Sequence, residues 1–257
     1  MDEQIQVGKG LMKTITLIGF LCILAMLPLR ADACGWWGDG DYDDDDDDNV
    51  IWVGDEWKQI SENLNEVTDP IIQTRIGTRY RTGTGFTMNY TEAVYWYRKA
   101  SEQGYAGAQN NLAVMYEEGL GVTKDQSEAR KWYRKAAEGK NPHAQHSLGR
   151  IYREGQGVTK DFKEAAKWIL KAAEQGHHGA FNDIGKMYWK GSGVVQNNLQ
   201  AYMWWKLGVL YGHKESEELC RMAAAKMTPG NIAKAEKLVL NWMPKKPGLD
   251  IQPEYPQ

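Results

Sequence analysis

Cysteine is scarce in this chain and follows no regular spacing. The 257 residues contain three cysteines, Cys22, Cys34 and Cys220. This number excludes a framework of many disulfides and a zinc site built from repeated cysteine pairs. One disulfide between Cys34 and Cys220 stays open as an alternative.

Sequence motifs of catalysis and phosphate binding are also missing. The Gly-x-Gly pairs, such as Gly119 and Gly121, have no Lys-Ser/Thr after them and no strand pattern before them. They recur in every copy of a repeat and are typical of helix ends. No nucleophile elbow occurs, so we expect no enzyme and no cofactor. A cell-envelope hydrolase acting on peptidoglycan or β-lactams remains the alternative class.

What the chain does contain is a sequence repeat with a period of 36 residues. Four positions recur in step, and they hold tyrosine, glycine, alanine and tryptophan: Tyr80, Tyr116, Tyr152, Tyr188; Gly83, Gly119, Gly155, Gly191; Ala93, Ala129, Ala165, Ala201; Trp96, Trp132, Trp168, Trp204. A fixed period of this length with aromatic and small residues in register is typical of a solenoid, whose extended surface binds other proteins.

Each repeat predicts two helices. In residues 106–141, Ala108, Leu112 and Tyr116 share one helical face, and Gly119 marks its end. Asp125 with Glu128 then resembles a capping box that starts the second helix. That helix is expected to bury Trp132 between successive hairpins. Gly139 lies one residue out of register with the other repeats, so a local adjustment of that turn is expected.

The residues of these repeats carry a family resemblance. "AQNNLAVMYEEGLGVTKDQSEARKWYRKAAEGK" and "AQHSLGRIYREGQGVTKDFKEAAKWILKAAEQG" resemble the Sel-one-like repeat, a relative of the tetratricopeptide repeat, and the likeness covers residues 70–213. It implies an all-α fold, a right-handed αα-hairpin solenoid of four 36-residue repeats with helical caps. It also implies a protein–protein interaction scaffold. Some relatives carry a disulfide in each repeat and are credited with β-lactamase activity, but those cysteines are absent here.

The resemblance places the partner-binding groove on the faces of the first helices. The positions expected to be exposed there and to contact an unidentified protein or peptide are Thr74, Thr78, Arg81, Asn110, Val114, Glu117, His146, Arg150, Arg153, Asn182, Lys186 and Trp189. Asparagine side chains can both donate to and accept from a peptide backbone, and arginines can pair with carboxylates. His143 and His146 could share a metal ion, but no carboxylate or cysteine follows at matching spacing. We therefore expect solvated histidines and no metal site.

The first 33 residues indicate export. Residues 14–29 form an apolar run after Lys13, followed by Ala31-Asp32-Ala33, which is typical of a signal peptide. This predicts cleavage before Cys34 and a periplasmic or secreted protein without a stable membrane span. An uncleaved anchor, a lipoprotein acylated at Cys34 and a true start at Met12 stay open.

Charge is divided unevenly along the remainder of the chain. Residues 34–69 hold thirteen acidic residues and one basic residue, including the run Asp43–Asp48, whereas residues 70–257 hold 27 basic and 18 acidic residues. We interpret 34–69 as an acidic, partly disordered arm that ends in a capping helix at 55–66. The arm is expected either to remain solvated, to bind calcium weakly or to cover the basic first-helix face. Nucleic acid is not an expected partner.

The end of the chain resembles a cap followed by a tail. Thr228 and Pro229 are suited to the start of a helix, and the apolar residues after them continue at helical spacing. We therefore predict C-terminal capping helices in 214–243 and an extended proline-containing tail in 244–257.

Overall fold

The computed structural model describes residues 64–242, and these residues form a short 3-10 turn at Leu64–Glu66 followed by ten α-helices. The helices, numbered in chain order, are α1 Pro70–Thr82, α2 Tyr90–Glu102, α3 Ala106–Glu118, α4 Gln126–Glu138, α5 Pro142–Glu154, α6 Phe162–Glu174, α7 His178–Lys190, α8 Asn198–Leu210, α9 Lys214–Ala224 and α10 Pro229–Trp242.

Eight of these helices build the four repeats. The first helices α1, α3, α5 and α7 each pack against the second helix that follows, namely α2, α4, α6 and α8, and each second helix packs against the next first helix. This order of contacts is that of a solenoid of stacked hairpins. The prediction of an all-helical repeat fold is confirmed for the described residues.

Side-chain caps start every second helix. Asn89, Asp125, Asp161 and Asn197 adopt extended backbone angles, and each side-chain oxygen accepts from the backbone N–H groups two and three residues later. At Asp125 these distances are 2.8 Å to Ser127 N and 3.0 Å to Glu128 N. The caps satisfy donors that the helix itself cannot satisfy.

Glycines end the first helices and set the loop against the preceding repeat. Gly119 has a φ of +77°, a left-handed conformation that strains residues with a side chain. Gly193 is the second glycine of the equivalent loop in repeat 4. It approaches Phe162 so closely that a Cβ atom would lie 1.9 Å from the Phe162 carbonyl oxygen. The loop therefore needs glycine for both its conformation and its packing.

The turn after α4 accommodates the one-residue register shift with a lysine in a left-handed backbone conformation. The left-handed position is occupied by Gly104, Gly176 and Gly212 in the other repeats, but here it is Lys140, with a φ of +65°. Gly139 itself has an ordinary φ of −72°. The expected adjustment thus consists of a lysine that adopts a glycine conformation.

Alanines and large aromatic residues form the core. Buried alanines recur on both helices of each repeat, and Tyr97, Tyr133 and Trp205 are among the largest side chains that are fully buried. Trp132 packs between the cores of neighbouring repeats, as predicted, but its predicted burial was wrong, because this side chain is only half-buried. Its neighbour Tyr133, at 1% exposure, is the aromatic residue that fills the interior of repeat 2.

Two helices follow the repeats, and both α9 and α10 pack on α8. Pro229 is the first residue of α10, and the Thr228 side chain accepts from Asn231 N at 3.3 Å. Ala235 and Val239 turn inward, at 0% and 4% exposure. No helix within residues 64–242 has both the length and the apolar character needed to cross a bilayer.

Several sequence predictions concern residues outside the described range. These are the signal peptide in 1–33, the start at Met12, the acidic run Asp43–Asp48, most of the 55–66 helix and the tail 244–257. They stay predictions.

Candidate functional surface on the first helices

The predicted site residues occupy three rows of repeat-equivalent positions on α1, α3, α5 and α7, here called the first-helix surface. The rows read Thr74, Asn110, His146, Asn182; then Thr78, Val114, Arg150, Lys186; then Arg81, Glu117, Arg153, Trp189. Core positions such as the alanines and tyrosines repeat from copy to copy, whereas in these rows the residue differs between any two consecutive repeats. The first-helix surface is therefore where the four repeats differ chemically.

In repeats 1 and 2, polar groups of this surface contact the second helix of their own repeat. Thr78 Oγ1 lies 3.0 Å from the Tyr97 hydroxyl, and Arg81 Nε donates to the same hydroxyl at 3.3 Å. In repeat 2, the Tyr133 hydroxyl donates to Glu117 Oε2 at 2.5 Å. A buried tyrosine thus holds the surface side chains from beneath.

In repeat 3, the contacts reach across to the next first helix instead. Asp183 of α7 accepts from Arg153 Nη1 at 2.6 Å and pairs with His146 Nε2 at 2.9 Å. Burial acts to raise the pKa of Asp183, but the hydrogen bond and charge of His146 and the charge of Arg153 outweigh it and lower this pKa to about 2. Asp183 is therefore a carboxylate at neutral pH and ties α5 to α7.

Repeat 4 is connected to the helix that follows it in the same manner. Lys186 Nζ pairs with Glu215 Oε1 at 2.7 Å, and Asn182 Nδ2 donates to Glu215 Oε2 at 2.8 Å. Ser216 Oγ donates to Asn182 Oδ1 at 3.0 Å. Glu215 and Ser216 of α9 therefore bind the polar side chains that repeat 4 presents on α7.

Four of the predicted surface residues are not exposed. Asn110, Val114 and Asn182 are 7%, 8% and 9% exposed, so their expected exposure was wrong. Asn182 is covered by α9, and Val114 belongs to the core between α4 and α5. Asn110 Oδ1 has no hydrogen-bond partner among the described residues. Thr74 is also buried, with its hydroxyl bonded to the Pro70 carbonyl at 2.7 Å.

The remaining predicted positions keep part of their side chains accessible. Arg150 is the most open of the charged residues, with 44% of its side chain exposed and its Nε 3.9 Å from Glu154. Arg153 is 27% exposed. Trp189 is half-buried against the core that contains Trp205, and Lys226 Nζ lies 4.9 Å from its ring centroid.

All five histidines of the chain lie at the starts of α5, α7 and α9. The His177 ring lies 4.8 Å from the ring of His143 and 4.6 Å from that of His146, while His178 lies 6.0 Å from His213. The expectation of solvated histidines was wrong for His146, whose side chain is 16% exposed. A signal was available, since His143 and His146 lie near the start of one repeat and His177 and His178 at the start of the next, 31 to 35 residues away.

His177 is held in its neutral form. Its Nδ1 accepts from Ala180 N at 3.2 Å, which caps α7. Burial first, and then the nearby His146, His143 and His178, lower the pKa of His177 to about 2 against the opposing charge of Asp183. This cluster does not bring three or more ligands into metal-binding geometry, and neither does any other group within residues 64–242.

The described cysteine has no features of a nucleophile. Cys220 is 8% exposed with its Sγ 3.9 Å from the Tyr202 carbonyl oxygen, and burial raises the pKa of its thiol to about 11. A thiol of this kind is protonated and inert at neutral pH. The disulfide with Cys34 stays an open alternative, because Cys34 lies outside the described residues.

Comparison with known proteins gives a consistent result. The Sel1 repeat family matches residues 72–105, 106–141, 142–177 and 182–212. Among solved structures, the chain is similar to a Sel1 repeat protein from Oxalobacter formigenes, with 34% identity over 72% of this chain and 78% of that chain and a TM-score of 0.60. The predicted resemblance is thereby confirmed.

Two further solved structures are similar at lower scores. One is c5321, described as a protective antigen present in uropathogenic Escherichia coli strains that displays an SLR fold, with 28% identity over 72% of this chain and 47% of that chain and a TM-score of 0.48. The other is Helicobacter pylori cysteine rich protein B, with 21% identity over 51% of this chain and 95% of that chain and a TM-score of 0.42. No curated protein matches the chain.

Proposed function

We propose, from the premise that the chain belongs to the Sel1 repeat family, that it is a protein–protein interaction scaffold whose partner contacts the first-helix surface of repeats 1 and 2 and Arg150. Sel1 and related helical repeats typically act through protein–protein interaction. The proposal narrows this general role to one part of the solenoid.

One observation supports the assignment of the partner to repeats 1 and 2. The polar groups of repeats 3 and 4 are engaged by the next helix in the stack, through Asp183 and Glu215. In repeats 1 and 2, Arg81 and Glu117 instead contact Tyr97 and Tyr133 of their own hairpins, and both side chains are partly exposed. Pre-positioned side chains of this kind lose little conformational entropy when a partner binds.

The charges on this part of the surface define the chemistry of the partner. Arg81 and Arg150 present guanidinium groups, which bind carboxylates with two parallel hydrogen bonds. Glu117 lies between them in the stack and accepts from Tyr133 with one oxygen, so its carboxylate has further acceptor positions for a lysine or arginine. The fitting partner segment therefore carries acidic residues on both sides of a basic residue.

A crosslinked pull-down from intact cells tests the proposal. The full chain is compared with a variant that reverses two charges, Arg81→Glu with Glu117→Lys, and with a control that reverses one charge in repeat 4, Lys186→Glu. The proposal expects the captured partner to be lost with the first variant and kept with the second. Equal recovery with all three proteins would refute it.

The scaffold is proposed to act outside the cytoplasm and without catalysis. The sequence of residues 1–33 supports export, so the secreted form should begin at Cys34, and a chain that still begins at Met1 or Met12 would refute this. For the second point, we expect no turnover of nitrocefin or purified peptidoglycan. Activity that rises in proportion to the amount of protein would contradict the proposal.

A further inference from the structure

One of the four repeat-equivalent tryptophans is less covered than the others. Trp96, Trp168 and Trp204 are 3%, 6% and 4% exposed, whereas Trp132 of α4 is half-buried. Trp132 packs on the core shared by repeats 2 and 3 and on the core shared by repeats 1 and 2. Part of its side chain is nevertheless exposed at the surface.

A cavity of about 300 Å³ opens at this tryptophan. Its walls are formed by residues of α4, namely Glu128, Arg130, Lys131, Trp132, Arg134, Lys135 and Glu138. Lys135 Nζ lies 4.2 Å from the Trp132 ring centroid. We call this region the Trp132 site, and it combines an aromatic floor with a rim of cations.

The rim has a net positive charge, with four cations and two carboxylates. The arginines are used structurally, since Arg130 donates to the Gly157 carbonyl at 2.7 Å and Arg134 donates to the Tyr152 hydroxyl. The lysines are held loosely by comparison. Lys131 pairs with Glu128 at 2.5 Å, but its side chain is 62% exposed, and exposed pairs of this type contribute about 0–1 kcal/mol. Lys131 and Lys135 can therefore change partners at little cost.

The next repeat offers a natural comparison. On α6, Lys167 and Lys171 lie 5.7 and 4.4 Å from the ring centroid of Trp168, so the spacing of lysines and tryptophan is the same. The indole of Trp168 is buried, however. Helix α6 thus presents similar lysine charges without an accessible aromatic surface.

We propose that the Trp132 site binds an acidic polypeptide segment that places an aromatic side chain against Trp132 and its carboxylates beside Lys131 and Lys135. Charge complementarity requires acidic residues on the partner, and the half-buried indole requires an apolar group among them. This surface is separate from the first-helix surface, so it is a second docking site on the same solenoid.

Fluorescence anisotropy of labelled peptides with the purified full chain tests the inference. The probes are a twelve-residue peptide of glutamate and aspartate with one central phenylalanine, and the same peptide with alanine in place of phenylalanine. The proposal expects the phenylalanine peptide to bind more tightly, with affinity that falls as salt increases. Equal binding of the two peptides would overturn it, because the cavity would then be unused.

Two matched variants locate the binding. Lys131→Glu with Lys135→Glu should weaken binding by about tenfold or more, because each change replaces an attraction by a repulsion. Lys167→Glu with Lys171→Glu should change it by less than about threefold. All four lysines are exposed at the surface, so both variants should fold.

Equal losses of affinity in the two variants would show a general charge effect and overturn the site. Binding to anionic lipid vesicles without binding to either peptide would also overturn it, in favour of a membrane surface.

Discussion

The two halves of the first-helix surface use the same positions in different ways. In repeats 1 and 2, Thr78, Arg81 and Glu117 contact a tyrosine of their own hairpin. In repeats 3 and 4, Arg153 contacts Asp183 of α7 and Lys186 contacts Glu215 of α9. The N-terminal half is thus braced within each repeat, and the C-terminal half is linked from repeat to repeat.

The difference between contacts within a repeat and contacts between repeats follows from the residue at one position of the second helix. Tyr97 and Tyr133 supply the hydroxyl in repeats 1 and 2, whereas the equivalent residues of repeats 3 and 4 are Ile169 and Trp205. Ile169 has no polar group, and Trp205 Nε1 donates to the Asn182 carbonyl oxygen at 3.3 Å. Without a hydroxyl from beneath, Arg153 finds its partner on α7. A repeat framework can therefore change the polar contacts of its surface without changing its helices.

The largest effect is expected at the buried tyrosine of repeat 2. Tyr133→Ala should lower the free energy of unfolding by about 3–5 kcal/mol, because it leaves a cavity and removes the hydroxyl from Glu117. Trp132→Ala should cost about 1–2 kcal/mol, since its indole is half-buried. Urea denaturation followed by circular dichroism measures both. A larger cost for Trp132→Ala would contradict the packing described for α4.

The next largest effect separates the two types of contact. Asp183→Ala should cost about 2–3 kcal/mol, because Arg153 and His146 both lose a hydrogen-bonded, largely buried partner. Glu117→Ala in repeat 2 should cost about 1 kcal/mol, since it removes one hydrogen bond within a hairpin. The same urea denaturation compares them. Equal costs would mean that the repeat-to-repeat link is not stronger than the brace within a repeat.

The stability of the C-terminal half, repeats 3 and 4, should also depend on pH. His177 has an ordinary pKa of 6.5 when unfolded, and the fold lowers its pKa to about 2. Below pH 6.5 the unfolded chain binds a proton that the folded chain does not, so stability falls as the pH falls. At pH 5 this costs about 2 kcal/mol relative to pH 8.

The matched variant for this prediction is His177→Asn. Asparagine occupies the equivalent cap at Asn141, where its side chain accepts from Ala144 N at 2.8 Å. The variant should therefore keep the cap of α7 and lose the His177 part of the pH dependence, which thermal melts between pH 5 and pH 8 would record. An unchanged pH dependence would show that burial and the neighbouring His146, His143 and His178 do not hold His177 neutral.

The smallest effect contrasts two equivalent asparagines. Asn182→Ala should cost about 1–2 kcal/mol, because Ser216 and Glu215 lose their partner. Asn110→Ala should be close to neutral, since the Asn110 Oδ1 acceptor is already unpaired within the described residues. Thermal melting measures the pair. A greater loss for Asn110→Ala would show that this side chain has a partner in solution.

The repeat fold was predictable from the sequence because each repeat carries its own local signals. The caps at Asp125 and Asp161 and the glycine at 119 specify where helices start and end, and the 36-residue period places them in register. What the sequence could not provide was the distance between side chains of neighbouring first helices. Asp183 was not predicted as a site residue, although it organises the contacts of α5 with α7.

Burial of individual side chains was predicted less well than their position on a helix. The period placed Trp132 and Trp168 at equivalent positions but could not show that only the second is covered. The same applies to Asn110 and Asn182, which share the predicted face but lie beneath its surface. Lys140 differs again, because the register shift was visible but its left-handed conformation was not.

Site-specific photo-crosslinking in intact cells tests the central claim most directly. A photoreactive amino acid is placed at position 81 or 117 in the N-terminal half of the first-helix surface, and at position 186 in the C-terminal half as the control. We predict that positions 81 and 117 form a covalent adduct with the same protein partner and that position 186 does not. Adducts at position 186 alone, or equal adducts at all three positions, would contradict the assignment of partner binding to repeats 1 and 2.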